Sequence, residues 1–283
     1  MCEISLIHHT VVSFSNGRLT YNRPSVVKSL IAVAHLVFLY SIFLLQPAFA
    51  TSIIAVRVNE QVVVGADSKR TVGRDPQNAI PIKEPVCKIG KGDGFFFATA
   101  GLVSGGGFDV GSSIAKASEI QGTIEQKIET VLQTIKEPLT EILDRYRQTD
   151  PLDYSRTFAT APVLQILFFG MEKGSTFITA SEFFIPTPSP LVPVQIVIRY
   201  GKCPGDACLT GEQLFMSGER DAIKTFLSEK PGYWRVNPVE TVRELIELQI
   251  ADIPNLVGPP IDILYVDKNG AQWIQKKDQC PDL

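Results

Sequence analysis

The chain has 283 residues, 45% of them hydrophobic and 20% charged, and a formal net charge of −3. That length suffices for one large domain or two small ones with a sizeable core, and the weak negative balance argues against a nucleic-acid or anionic-membrane binder. No repeat or low-complexity tract interrupts the sequence.

The first fifty residues differ from the rest. Arg18, Arg23 and Lys28 precede an uncharged run, Ser29 to Leu45, which Gln46-Pro47 and Ala48-Phe49-Ala50 close. Basic flank, apolar core and A-x-A exit are the parts of a secretory signal. As a helix the apolar run would span roughly 26 Å, short of a ~30 Å hydrocarbon layer. The expectation is export to a periplasmic or extracellular space after cleavage between Ala50 and Thr51. Retention as a membrane anchor through residues 29–45 is the alternative. Residues 1–50 are thus read as signal or anchor, and 51–283 as one domain.

Cleavage would remove three basic and one acidic side chain, leaving 24 basic and 29 acidic and a net of −5. It would also remove His8, His9 and His35, the chain's three histidines. Without histidine, Ser-His and Cys-His nucleophile pairs and imidazole-bound zinc are impossible. Cys87, Cys203, Cys208 and Cys280 remain. Cys203 and Cys208 bracket "CPGDAC", a loop that could close as a disulfide in an oxidising compartment or carry two free thiols. A four-thiolate metal site is disfavoured because Cys87 falls in a predicted core strand.

In chain order, Thr51–Val58 and Gln61–Asp67 are β-branched runs around Asn59-Glu60, a predicted hairpin. A polar stretch follows, then "VCKIG" and "FFFATAGL", two strands joined by "KGDG". "GLVSGGGFDVG" leads into a helix near Phe108–Glu119; it lacks the lysine-serine/threonine ending of a phosphate loop. Thr123 to about Gln148 reads as the clearest helix, with apolar residues from Ile124 to Tyr146 at three- and four-residue intervals and a Thr123/Gln126 capping box. Pro138 predicts a kink or a split there. Strands are expected at Val163–Met171, Thr176–Phe184, Val192–Tyr200 and "EQLFMSG", and helices near Arg220–Leu227 and Pro238–Ala251. "IDILYVDKNGAQWIQ" closes as a hairpin around Asn-Gly. Runs of strands alternating with helix pairs predict antiparallel sheets layered with helices.

Thr51 is the residue of chemical interest. A threonine hydroxyl needs a base, and the α-amine of an N-terminal threonine, with an unperturbed pKa near 7.7–8.0, can serve as one. That amine exists only once the bond before Thr51 is broken. Asp67 lies sixteen residues on, where the hairpin returns to its start, and Lys83 sixteen further. An ammonium held by an aspartate beside the threonine would favour the deprotonated hydroxyl.

Thr51, Asp67 and Lys83 resemble, in spacing, the catalytic threonine, aspartate and lysine of proteasome β-type subunits, which are N-terminal-nucleophile hydrolases. "VVVGADSKRTVG" is similar to that family's second strand and turn, "FFFATAGL" to its oxyanion-hole strand, "FMSGERDAIKTFL" to its serine-glycine turn and helix, and "VGPPIDILYVDKNG" to its last strand pair. The similar stretches span most of 51–275.

The resemblance implies an α+β fold, a four-layer αββα sandwich of two antiparallel sheets flanked by helices. It implies a threonine-type peptidase in which Thr51 attacks, the Gly101 N–H holds the oxyanion, Ser217 supports, and the backbone at Thr71 and Gly101 pairs with an extended peptide. Arg70, Pro81 and Thr99 fall at matched pocket positions. No cofactor or metal is called for. The expected partners are a peptide or small-amide substrate and further copies of the chain, with no nucleic acid and no inferable ATPase. Ala50 stands where self-processing subunits carry glycine, which points to a signal peptidase instead. The family's late aspartate-serine motif has no clean match. Two alternatives remain: an amidohydrolase of the same fold acting on a small amide, and a catalytically inactive exported or anchored interaction module.

Overall fold

The computed structural model describes residues 51–72, 80–82, 86–159, 161–205, 208, 210–218 and 221–283. The signal-or-anchor segment lies outside them, and no helix among the described residues is long and apolar enough to cross a membrane.

The strands are β1 (Ser52–Val58), β2 (Gln61–Ala66), β3 (Arg70–Val72), β4 (Ile80–Ile82), β5 (Ile89–Gly92), β6 (Phe95–Gly101), β7 (Ser104–Gly105) and β8 (Phe108–Asp109). Three helices follow, α1 (Val110–Ala117), α2 (Ile124–Thr149) and α3 (Pro151–Thr157). Then come β9 (Leu164–Glu172), β10 (Ser175–Phe184), β11 (Val197–Cys203), β12 (Gln213–Gly218), α4 (Asp221–Glu229), α5 (Pro238–Asp252), β13 (Asp262–Asp267) and β14 (Gly270–Gln275). The fold is α+β, with two five-stranded antiparallel sheets in the orders β12-β1-β2-β13-β14 and β11-β10-β9-β6-β5.

Strand alternation sorts the core into three clusters. Ile53 and Ala55 of β1 share a cluster with Ala98 and Ala100 of β6 and Leu167 and Phe169 of β9, so these faces of the two sheets meet. Ile54 and Val56, on the opposite face of β1, join Ile223 of α4 and Val242, Leu245 and Ile246 of α5. Phe95, Phe97, Ile166 and Phe168 pack with Ile114 of α1 and Val131, Leu132, Ile135 and Leu139 of α2. Burying each such large side chain is worth about 1.5–3 kcal/mol. Close approach of α5 to β2 requires glycine at position 65, because a Cβ there would lie 2.3 Å from Val242 Cγ1.

Most local expectations hold. Asn59 and Glu60 both adopt positive φ (52° and 56°), the geometry of a two-residue hairpin turn. Thr123 caps α2 in a capping box with Gln126. Pro138 does not split that helix: the 26 residues run through it. Proline forfeits one ladder bond, and a stripe of six fully or nearly fully buried aliphatic residues, Ile128, Val131, Leu132, Ile135, Leu139 and Leu143, offsets the loss. The expected strand at Val192–Tyr200 is displaced to Val197–Cys203, since the prolines of "IPTPSPLVP" lack the N–H that a ladder needs.

Cys87 corrects its assignment to a core strand. It precedes β5 and is disulfide-bonded to Cys280; Cys203 is bonded to Cys208. The two crosslinks close loops of very different length, with separations of 193 and 5 residues. Loop-closure entropy then predicts that Cys87→Ser/Cys280→Ser costs about 5 kcal/mol and Cys203→Ser/Cys208→Ser about 2 kcal/mol. Guanidinium denaturation of the two double variants checks the order; equal losses would refute it.

Candidate active site

The site assembles where the β1–β2 hairpin returns to its origin. The pairing of Ile53 with Ala66 brings Thr51 and Asp67 together, and Asp67 N–H donates to Ser52 O at 3.1 Å. The Asp67 carboxylate is fully buried and closely held. Its Oδ1 accepts from Ser52 N–H at 2.8 Å, and its Oδ2 accepts from Lys69 N–H at 3.0 Å and Gly258 N–H at 3.2 Å. Gly258 belongs to the connection between α5 and β13, which also takes a bond from Ser68 N–H at its own carbonyl (3.0 Å).

Lys88 completes the cluster. Its Nζ lies 2.6 Å from Asp67 Oδ1 and donates to Thr51 Oγ1 at 3.2 Å. Lys88 and Thr51 are each only 8% exposed. Burial, the largest influence, pushes the Lys88 pKa below the ordinary lysine value of 10.5, while the attraction of Asp67 resists it. An ammonium so placed stabilises negative charge developing on the threonine oxygen.

Lys83 lies outside the described residues; among those described, Lys88 brings its ammonium to Thr51 and Asp67. Lys88 is twenty-one residues after Asp67, five more than the sixteen on which the Lys83 assignment rests. The extra chain falls in the polar stretch around β3 and β4, where no hydrophobic period fixes a register. A lysine immediately before the strand "IG" was the signal available.

Gly101 ends β6 with φ at 101°, and a Cβ there would lie 2.4 Å from Val163 O. Both facts demand glycine. Thr99 N–H donates to Lys88 O at 3.3 Å, and strand alternation turns the Gly101 N–H to the same edge. Ser217 sits on β12 beside β1, opposite Ile53. It is buried, and its hydroxyl donates to Gln165 Oε1 at 2.6 Å, while Gln165 Nε2 donates to Glu182 Oε1 at 2.8 Å. Thr71 lies in β3, paired with Pro81 of β4.

Among the described residues, one group of acidic and sulfur ligands is close enough to hold a metal ion: Cys87, Asp262 and Cys280. Both its sulfurs are taken by the disulfide.

No protein-family model and no curated protein matches this chain. Among solved structures, the Anbu (Gly-1) mutant from Hyphomicrobium sp. strain MC1 is similar to it at 14% identity and a TM-score of 0.47, over 81% of this chain and 89% of that one.

Proposed function

We propose that this chain is an N-terminal threonine hydrolase that cleaves peptide bonds once residues 1–50 have been removed. The observation that carries the reading is the buried Thr51–Lys88–Asp67 cluster: a hydroxyl 3.2 Å from an ammonium that is itself 2.6 Å from a carboxylate. From position 51 onward the sequence offers no imidazole to serve as the base, and the α-amine of Thr51 fills that role.

In the reaction, Thr51 Oγ attacks the scissile carbonyl carbon and its proton passes to the α-amine. Lys88 stabilises the oxygen as it gives up that proton, and Asp67 holds Lys88 in place. The Gly101 N–H receives the oxyanion, a contact worth about 3–4 kcal/mol for one such donor. The amine then protonates the leaving nitrogen, and water releases the acyl group from the Thr51 ester. Ser217 supports the amine, and the backbone of Thr71 and Gly101 aligns an extended substrate.

The three separate core clusters support reading the fold as a four-layer αββα sandwich. The two disulfides fit export into an oxidising compartment. Assembly of several copies is part of the same reading.

N-terminal sequencing and an epoxyketone probe test it together. The processed chain should begin at Thr51, and the probe, which offers one electrophile to the hydroxyl and a second to the amine, should attach there. A processed chain beginning at any other residue, or labelling at another residue, removes the proposal.

A further inference from the structure

The segment after β14 reaches back to the candidate site. Lys277, 7% exposed, turns its ammonium inward, where it pairs with Asp262 Oδ2 at 2.5 Å and donates to the Val86 carbonyl at 2.5 Å and to the Ser68 hydroxyl. Its backbone N–H donates to Asp262 Oδ1 at 3.1 Å. Cys280, whose N–H donates to Lys277 O at 3.1 Å, is bonded to Cys87. Ser68 directly follows Asp67, Cys87 directly precedes Lys88, and Val86 lies one residue further back. Ser68 and Val86 are also joined to each other, Val86 N–H donating to Ser68 O at 3.1 Å.

Residues 86–88 belong to no strand, so individual contacts of this kind decide where Lys88 sits. We propose that Lys277, Asp262 and the Cys87–Cys280 disulfide form a buckle that positions the Lys88 ammonium against Thr51 and Asp67. Its grip is on Ser68, Val86 and Cys87, which makes its members positioning residues. The inference rests on the hydrolase reading for its kinetic consequence alone.

The buckle also acts through charge. Among the described residues, the groups facing Lys88 include Thr51 and Asp67 from the hairpin, Asp262 from the start of β13, and Lys277. The second ammonium adds to burial in lowering the Lys88 pKa, against the smaller opposing pull of Asp262. Burial pushes the Lys277 pKa down and that of Asp262 up.

The test compares four variants of the processed protein: Lys277→Met, Lys277→Arg, Lys277→Met/Asp262→Leu and Cys87→Ser/Cys280→Ser, with Cys203→Ser/Cys208→Ser as the control crosslink. The paired Lys277→Met/Asp262→Leu variant leaves no buried charge unpartnered and serves where the single change prevents folding. Two readouts are taken: kcat and KM separately, and the pH titration of the Lys88 side-chain resonance in lysine-labelled protein, assigned with Lys88→Arg.

For either Lys277→Met variant we expect kcat to fall on the order of 100-fold, the effect of an ångström-scale misplacement, with KM little changed. The Lys88 titration should move to higher pH, because the repulsion from Lys277 is gone. Lys277→Arg should restore the titration and much of kcat. Cys87→Ser/Cys280→Ser should lower kcat, and the control crosslink should not. Folded Lys277→Met variants with unchanged kcat and unchanged Lys88 titration overturn the buckle. If the unmodified protein turns over no substrate, the hydrolase reading falls, and the Lys88 titration still decides the buckle.

Discussion

Thr51→Ala, prepared so that processing still ends at position 51, should reduce amide hydrolysis by roughly six orders of magnitude, the loss measured when a covalent nucleophile is removed from a hydrolase. The fold should survive. Thr51 contributes one hydroxyl to a network in which Lys88 keeps its carboxylate and Asp67 keeps three backbone donors, so the thermal midpoint should move by only a few degrees. Thr51→Ser retains both hydroxyl and amine and should keep measurable turnover. The decisive measurements are single-turnover hydrolysis of a fluorogenic peptide amide and covalent labelling by a β-lactone. Turnover by Thr51→Ala at the unmodified rate would place the nucleophile elsewhere.

Lys88 carries the second large effect, on stability and activity alike. Lys88→Met leaves a fully buried carboxylate without its cation, and breaking such a pair from one side costs about 3–5 kcal/mol. Asp67→Asn/Lys88→Met removes both charges and should recover most of that stability. It should recover no activity, because the ammonium that supports the Thr51 oxygen is still missing. This opposite response of stability and turnover distinguishes a catalytic lysine from a structural one, and a double-mutant cycle in urea measures it. Lys83→Ala makes the companion comparison: of the two lysines, Lys88 should carry the loss of turnover.

The pH profile follows from the same lysine. Its folded pKa lies below 10.5, so the ammonium is lost at lower pH than from an ordinary lysine. Turnover should therefore decline on the alkaline side before the ordinary lysine range is reached. In the interval between the lowered value and 10.5 the unfolded chain binds more protons than the folded one, and the Lys88 contribution to stability rises with pH there as the burial of charge is relieved. An alkaline limb at or above 10.5 would contradict this.

The parts of the molecule that were legible in the sequence are those governed by short-range patterns. The Asn59-Glu60 turn fixes the register of β1 on β2, and that register alone sets Asp67 beside Thr51. The 3.6-residue stripe and capping box of α2 fix its buried face and its start. Gly101 came from the resemblance of "FFFATAGL" to a family strand, and the structure gives that position the positive φ and close approach that demand glycine.

Lys88 was not singled out in the sequence, because an ammonium's place depends on how much chain separates it from the strand it faces, and the polar stretch before it has no periodicity to count by. Gly258 and Lys277 were hidden for a related reason. Their contacts to Asp67, Ser68 and Val86 span roughly two hundred residues of sequence and leave no local mark. The pairing of Cys87 with Cys280 has the same character, whereas Cys203 and Cys208 announce themselves through a short loop.

The Cys87–Cys280 bond also bears on how the protein behaves when it is cut. The bonded residues are 193 positions apart, so a single nick anywhere in the intervening chain leaves both pieces tethered. Such nicked material would migrate as one species on a non-reducing gel and separate only when thiol is added. In surroundings rich in foreign proteases, a lone scission between Cys87 and Cys280 would not by itself shed the segment that carries Thr51.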